Sequence, residues 1–228
     1  MQVTRTRHGL RFSQHGVVIS ELRTAPGPTH SVFDVLAALI VLLRPTGKTG
    51  VLGFAGGGMV APLQALGLKN PFAAVDLDQA SYDLFCQHCP GWTNRVRWQR
   101  ADALNWLQRQ RPGFDLLLDD LSIPQDGDVV KPGICWRELP GLMRQKLNPD
   151  GIGIFNLVSP PQDGWRAGIE NIADHFRTVR IIHLDDFENR LVIGGTELPT
   201  ARTLGQGLRR LLHQIHSRQA NRLHVRSL

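Results

Sequence analysis

The stretch TGVLGFAGGGMVAPLQALG, residues 49–67, decides the fold. Its first seven residues read as a short apolar strand. The three glycines that follow read as a tight turn, and the remainder as a helix that ends at Gly67. The same alternation runs downstream. PFAAVDLD (71–78) is a second strand, followed by a helix over 79–88. Next come a strand at RVRWQRAD (95–102), a short helix at ALNWLQRQ (103–110) and the strand FDLLLDD (114–120). After a long loop there is a helix over 136–146, the strand GIGIFNLV (151–158), a helix over 165–176, and two strands, VRIIHL (179–184) and RLVIGG (190–195), spaced as an antiparallel pair. Strands alternating with helices of this length predict a mostly parallel sheet covered on both faces. Seven strands are expected, the last two closing the sheet as a hairpin.

Upstream, GLRFSQ and VVISEL flank His15-Gly16 as two strands around a turn. TAPGPTH then breaks regular structure, with Thr29 as the expected cap of an apolar helix, SVFDVLAALIVLL (31–43), that stops at Arg44-Pro45. The chain divides on this reading into an N-terminal hairpin and helix (1–46), a nucleotide-binding α/β domain (47–198) and a basic C-terminal helix or tail (199–228).

Of 228 residues, 42% are hydrophobic and 20% charged, which excludes wholesale disorder. The net charge of +6 is local. Residues 201–228 hold six arginines and no acidic residue, and the first 200 positions hold 20 basic and 20 acidic residues. In that tail Leu204, Leu208, Leu211, Leu212 and Ile215 recur at helical spacing, so it is read as a helix docked by its leucines. Nucleic-acid or membrane contact through its arginines is the lesser alternative. The tail and the N-terminal hairpin are the two candidate homodimer surfaces. The opening residues MQVTRTRHGLRFSQ lack the apolar core of a signal peptide, and three cysteines make no disulfide framework, so a cytoplasmic location is expected. Cys86 and Cys89 have a CxxC spacing, but one pair is not a four-ligand site, and no metal is expected.

In a sheet of this kind ligands sit at the carboxyl ends of the strands, where the strand order reverses. Four such ends carry informative residues. The turn Ala55-Gly56-Gly57-Gly58 removes side chains where a ligand would approach, and the helix starting near Met59 offers free N–H groups to an anion. Asp76, about 20 residues beyond, can accept both hydroxyls of a ribose, whereas Asp78 is the cap of the next helix. Asp102 can accept from an adenine amino group or cap the helix that begins at Ala103. Asp119 and Asp120 are consecutive on a strand and point to opposite faces, so at most one carboxylate enters the cleft. The loop after them, with Asp126 and Asp128, reads as a mobile lid.

These motifs in this order resemble the spermidine synthase-like branch of the class I AdoMet-dependent transferases, over roughly residues 9–195. The family's GGGDGG-type loop, acidic residue after strand two, GD pair after strand three and DSSDP-type stretch after strand four read here AGGGMV, VDLD, AD and DLSIP. The resemblance implies a Rossmann-like class I methyltransferase fold and S-adenosylmethionine, or its decarboxylated form, as cofactor. It places Gly56 and Gly57 at the methionine-like end, Asp76 at the ribose and Asp102 at the adenine, with Ala55, Gly58, Ala103 and Asp119 among the further cofactor contacts. Asp120 falls on the first aspartate of the DSSDP stretch, as the catalytic group. Two family carboxylates are missing, replaced by Gly58 in the loop and Ile123 in the lid. A polyamine needs an acidic cleft, so methyl transfer to a small-molecule acceptor leads. Aminopropyl transfer and a non-catalytic nucleoside-binding module are the alternatives, with Asp126 or Asp128 as the carboxylates that could serve a cationic substrate from the lid. An NAD-dependent dehydrogenase fits the glycines and Asp76 but lacks a GxGxxG run.

Overall fold

A computed structural model describes residues 2–14, 17–125, 128–161 and 164–228. The chain opens with an antiparallel three-stranded sheet, β1 (Gln2–Thr6), β2 (Gly9–Gln14) and β3 (Val17–Arg23). The turn expected at His15-Gly16 lies outside the described residues. Strand β1 escapes the sequence pattern because every one of its residues is exposed, so no apolar alternation marks it.

Helix α1 (Val32–Leu43) follows, capped by Ser31, whose hydroxyl accepts the Phe33 N–H, and not by Thr29. Thr29 instead donates its N–H and its hydroxyl to the buried carboxylate of Asp34, both at 2.7 Å. That carboxylate also accepts the His30 N–H and the hydroxyl of Ser217, 183 residues away. Four donors account for a charge buried at 0% exposure. They also stitch the first helix to the C-terminal segment.

The main sheet follows from β4 (Thr49–Leu52), α2 (Val60–Ala65), β5 (Phe72–Asp76), α3 (Gln79–His88), β6 (Val96–Arg100), α4 (Ala103–Arg109) and β7 (Phe114–Asp119). A ribbon of β8 (Ile123–Gln125) and β9 (Asp128–Val130) comes next, then α5 (Glu138–Lys146), β10 (Leu147–Leu157), α6 (Gly164–Ala173), β11 (Thr178–Leu184), β12 (Phe187–Gly195), α7 (Ala201–Gln214) and β13 (Leu223–Ser227). The sheet order is β13-β11-β12-β10-β7-β4-β5-β6, with β4, β5, β6, β7 and β10 parallel and β12 antiparallel to β10. The closing hairpin β11–β12 is present as expected. The sheet has eight strands, one more than expected, because the chain returns after α7 and pairs β13 with β11.

Successive residues feed opposite cores, as the two-residue period of a strand requires. Val51 packs with α1, α2, α3 and α7, whereas Leu52 packs with α4, α5 and α6. Leu204, Leu208, Leu212 and Ile215 are buried in the first core, and Arg202, Arg209, Arg210 and Arg218 stay exposed. The tail is therefore built into the sheet and its covering layer. Among the described residues no helix is long and apolar enough to cross a membrane.

Candidate active site

The strand order reverses between β4 and β7, where the glycine turn follows β4 and Asp120 follows β7, with Asp76 at the end of the adjacent β5. The Asp120 N–H bonds the Leu52 carbonyl, and the Gly53 N–H bonds the Val75 carbonyl, so the ends of β4, β5 and β7 lie side by side. Gly53 has φ +88°, and a Cβ on it would lie 2.7 Å from the Asp120 carbonyl oxygen. Only glycine allows that left-handed backbone and that close approach together.

Asp76 closes β5 and clamps the turn. One carboxylate oxygen accepts the N–H groups of Phe54 and Ala55, each at 2.7 Å, and the other accepts the Asp78 N–H at 3.0 Å. Ala55 is held at φ +45°, unusual for a residue with a side chain. Each carboxylate oxygen has two acceptor sites, so the clamp leaves capacity for hydroxyl donors from a ligand. Leu77, next in sequence, is 64% exposed and offers bare apolar surface beside that carboxylate.

The glycine turn is packed against aromatic rings. A Cβ on Gly56 would lie 2.3 Å from the Phe12 ring, and one on Gly58 2.8 Å from Phe33. Gly57 faces Phe54 and Phe85 in the same way. The missing side chains make room for the N-terminal sheet and α1 to close over the turn. The helix after it, α2, is only six residues long and starts at Val60, so it contributes little dipole. Among the described residues nothing accepts the N–H of Gly56 or Gly58.

Asp78 caps α3, accepting from Ala80 and Ser81, as its position predicts. Asp102 caps α4 by accepting the Asn105 N–H at 2.9 Å, and Ala103 is the buried first residue of that helix. The Ala101 N–H bonds the Asp76 carbonyl, which brings Asp102 beside Asp76 across the β5–β6 edge.

The two consecutive aspartates separate as the strand geometry requires. Asp119, expected among cofactor contacts, is instead fully buried. Its Oδ1 accepts from Lys131 Nζ at 2.9 Å and from the Leu121 N–H at 3.0 Å, with the Cys135 thiol at 3.6 Å. Burial pulls the Lys131 ammonium down, but the acidic groups around it, Asp119 first and then Cys135 and Asp120, together outweigh it and the lysine is raised above its ordinary value. Burial, reinforced by Asp119, pushes the Cys135 thiol up. A buried charge is tolerable only when paired in this manner.

Asp120 is partly exposed and points away from that pair. Its Oδ1 accepts from Asn156 Nδ2 at 2.6 Å, and Asn156 Oδ1 accepts from Asn189 Nδ2 at 2.8 Å. Burial pushes the Asp120 carboxyl up to about 6, against the stabilising Asn156 hydrogen bond and the Lys131 charge. A group with that value is ionised at neutral pH and can still take up a proton.

The segment expected as a loose lid is a two-stranded ribbon anchored by Lys131 immediately after β9. Asp128 is exposed on that ribbon and bonds the Val129 N–H, and Ile123 is 44% exposed. Asp126 lies outside the described residues. A cleft of about 670 Å³ opens between the ribbon, the turn at 133–136 and α6, with Lys131 on its wall. Among the described residues no group of three or more His, Cys, Asp or Glu side chains could hold a metal ion.

Sequence reasoning did not single out Lys131, Asn156, Asn189 or Leu77. For Asn156 a signal existed, as the one polar side chain in the otherwise apolar run GIGIFNLV.

No family model and no curated protein matches the sequence. Solved structures do match in shape. A probable spermidine synthase from Corynebacterium glutamicum superposes with a TM-score of 0.77 at 16% identity, covering 99% of this chain and 86% of that one. Spermidine synthase from Thermotoga maritima gives 0.64 at 14% identity, covering 85% and 67%. Human methyltransferase-like protein 13 in complex with SAH gives 0.61 at 20% identity, covering 81% and 91%. By its strand order and by these likenesses, the chain has the spermidine synthase-like form of the class I methyltransferase fold.

Proposed function

We propose that the chain is a transferase that uses an AdoMet-type nucleoside and most simply transfers a methyl group to a small-molecule acceptor. The observation that carries this reading is Asp120. It is a partly exposed carboxylate at the switch point, raised to about 6 and held by Asn156, two strands from Asp76. Similar folds carry such groups: the human protein holds SAH, and one spermidine synthase structure holds the transition-state analogue AdoDATO.

The residues fit the group. Asp76 keeps acceptor capacity for ribose hydroxyls, Leu77 presents apolar surface for a base, and Asp102 stands beside them at the same edge. Among the described residues the N–H groups of Gly56 and Gly58 have no acceptor, which suits them to a ligand carboxylate. When bound, an AdoMet-type group supplies an electrophilic carbon on a sulfonium and departs as a neutral thioether. Asp120 orients the acceptor and takes its proton as the new bond forms. The closed N-terminal sheet over the turn excludes water from that side.

Charge argues for methyl transfer. Asp119 is neutralised by Lys131, Ile123 carries no charge, and Asp128 is on the exposed ribbon, so the described strand ends offer Asp120 as the carboxylate free to meet an acceptor. A polyamine would meet one free carboxylate beside a closed Asp119–Lys131 pair. The second reading, aminopropyl transfer, draws on a specific likeness: the probable spermidine synthase superposes on 99% of the chain, N-terminal sheet included. Incubation with AdoMet and a panel of small acceptors is expected to form S-adenosylhomocysteine. Formation of methylthioadenosine from putrescine and the decarboxylated cofactor, with no methyl transfer, would instead establish the second reading.

A further inference from the structure

Asn189 lies on β12, two strands away from the end of β7, and is not hydrogen-bonded to Asp120. It is nonetheless tied to it. Asn189 Nδ2 donates to Asn156 Oδ1 at 2.8 Å, and Asn156 Nδ2 donates to Asp120 Oδ1 at 2.6 Å. The middle amide is 5% exposed and lies within the β7–β10–β12 layer.

A primary amide has a donor end and an acceptor end of nearly equal size. Left alone, Asn156 could turn either end toward Asp120. With its NH₂ end inward it favours the ionised carboxylate. With its carbonyl end inward it favours the protonated acid, whose O–H it would accept. In the observed arrangement the Asn189 NH₂ faces the Asn156 carbonyl, so turning the Asn156 amide over would set NH₂ against NH₂, and the Asn156 NH₂ is held toward β7. We infer that Asn189 is a positioning residue for Asp120, acting through the orientation of the Asn156 amide to keep the carboxylate an ionised acceptor in a fixed place.

The other charged groups around Asp120 do not depend on this chain. Lys131, after β9, favours ionisation, while Asp119 on β7 and Asp76 on β5 oppose it. None of the three is hydrogen-bonded to Asn156 or Asn189. The inference rests on Asp120 as the working carboxylate of the proposed reaction, but its test reads no turnover.

The experiment is a carboxyl-carbon NMR titration of Asp120 in the full chain and in single and double variants. Asn189→Ala is expected to raise the midpoint by about half a pH unit, as one lost hydrogen-bond constraint would. Asn189→Asp replaces the donor by an acceptor, repels the Asn156 carbonyl, and is expected to raise it further. Asn156→Leu removes the bond itself and raises it most, and adding Asn189→Ala to that variant should then have no further effect. Amide chemical shifts in the distant three-stranded sheet report whether each variant is folded. An unchanged Asp120 midpoint in both folded Asn189 variants overturns the inference, and so does an additive shift in the double variant. If the shifts occur as expected but no acceptor is ever methylated, the relay stands and the methyl-transfer reading falls.

Discussion

Asp120→Asn is expected to lower transfer by about 10²–10⁴-fold, the usual contribution of a positioned acid–base group. Substrate binding should change far less, because the amide is the same size and can still accept from Asn156. In the parent protein the rate should rise with pH through about 6, where the carboxylate ionises, and then level off. In the variant that limb should vanish. The same substitution should make the fold more stable at neutral pH. A carboxyl raised on folding binds its proton more tightly in the native state than in the unfolded chain. Its ionised form therefore costs stability, and the cost grows as pH rises from about 4 to about 6. Removing the charge should recover on the order of 1 kcal/mol or more. Thermal unfolding at pH 7.5 and steady-state rates across pH 5–8 check both halves. A variant that is inactive and less stable would point to a structural role for Asp120 alone.

Lys131→Met is expected to destabilise the protein by about 3–5 kcal/mol, because it leaves the Asp119 carboxylate buried without its cation. Both side chains are at 0% exposure, and Asp119 Oδ2 already lacks a partner. For a chain of this length that loss corresponds to a fall in Tm of roughly 10 °C. The double variant Asp119→Leu, Lys131→Met removes both charges and is expected to restore most of the stability, as buried ion pairs replaced by apolar groups often do. Differential scanning calorimetry of the two variants decides the matter. If the double variant is as unstable as the single one, the lysine serves the ribbon by packing and not by charge.

The parts of this molecule that follow from apolar periodicity were legible in the sequence. The alternation from β4 to β12, the caps at Asp78 and Asp102 and the leucine stripe of α7 are all one-dimensional patterns. The strands β1 and β13 are not. The first is exposed along its whole length, and the second pairs through backbone groups while presenting His224, Arg226 and Ser227 to solvent. Lys131 was hidden for a different reason. Its loop is rich in aspartate, glycine and proline, which reads as mobile, and nothing in the residues around it announces that its ammonium turns inward to Asp119. The glycine run stands out in the sequence, but its packing partners do not. Gly56 and Gly58 accommodate Phe12 and Phe33, residues more than 20 positions upstream, and such a contact exists only after folding. Asn156 and Asn189 meet across two strands of opposite direction, a pairing that depends on register and not on composition.

The claim on which the rest depends is that an AdoMet-type nucleoside binds at the ends of β4, β5 and β6. Isothermal titration of the purified full chain with AdoMet, S-adenosylhomocysteine and NAD, repeated on Asp76→Ala, measures it directly. Saturable one-to-one binding of the two sulfur nucleosides, none of NAD, and a loss of at least about tenfold in Asp76→Ala are the predicted results, since a charged hydrogen bond is worth about 1.5–3 kcal/mol. Binding of NAD in place of the sulfur nucleosides, or AdoMet binding that is indifferent to Asp76, would contradict it.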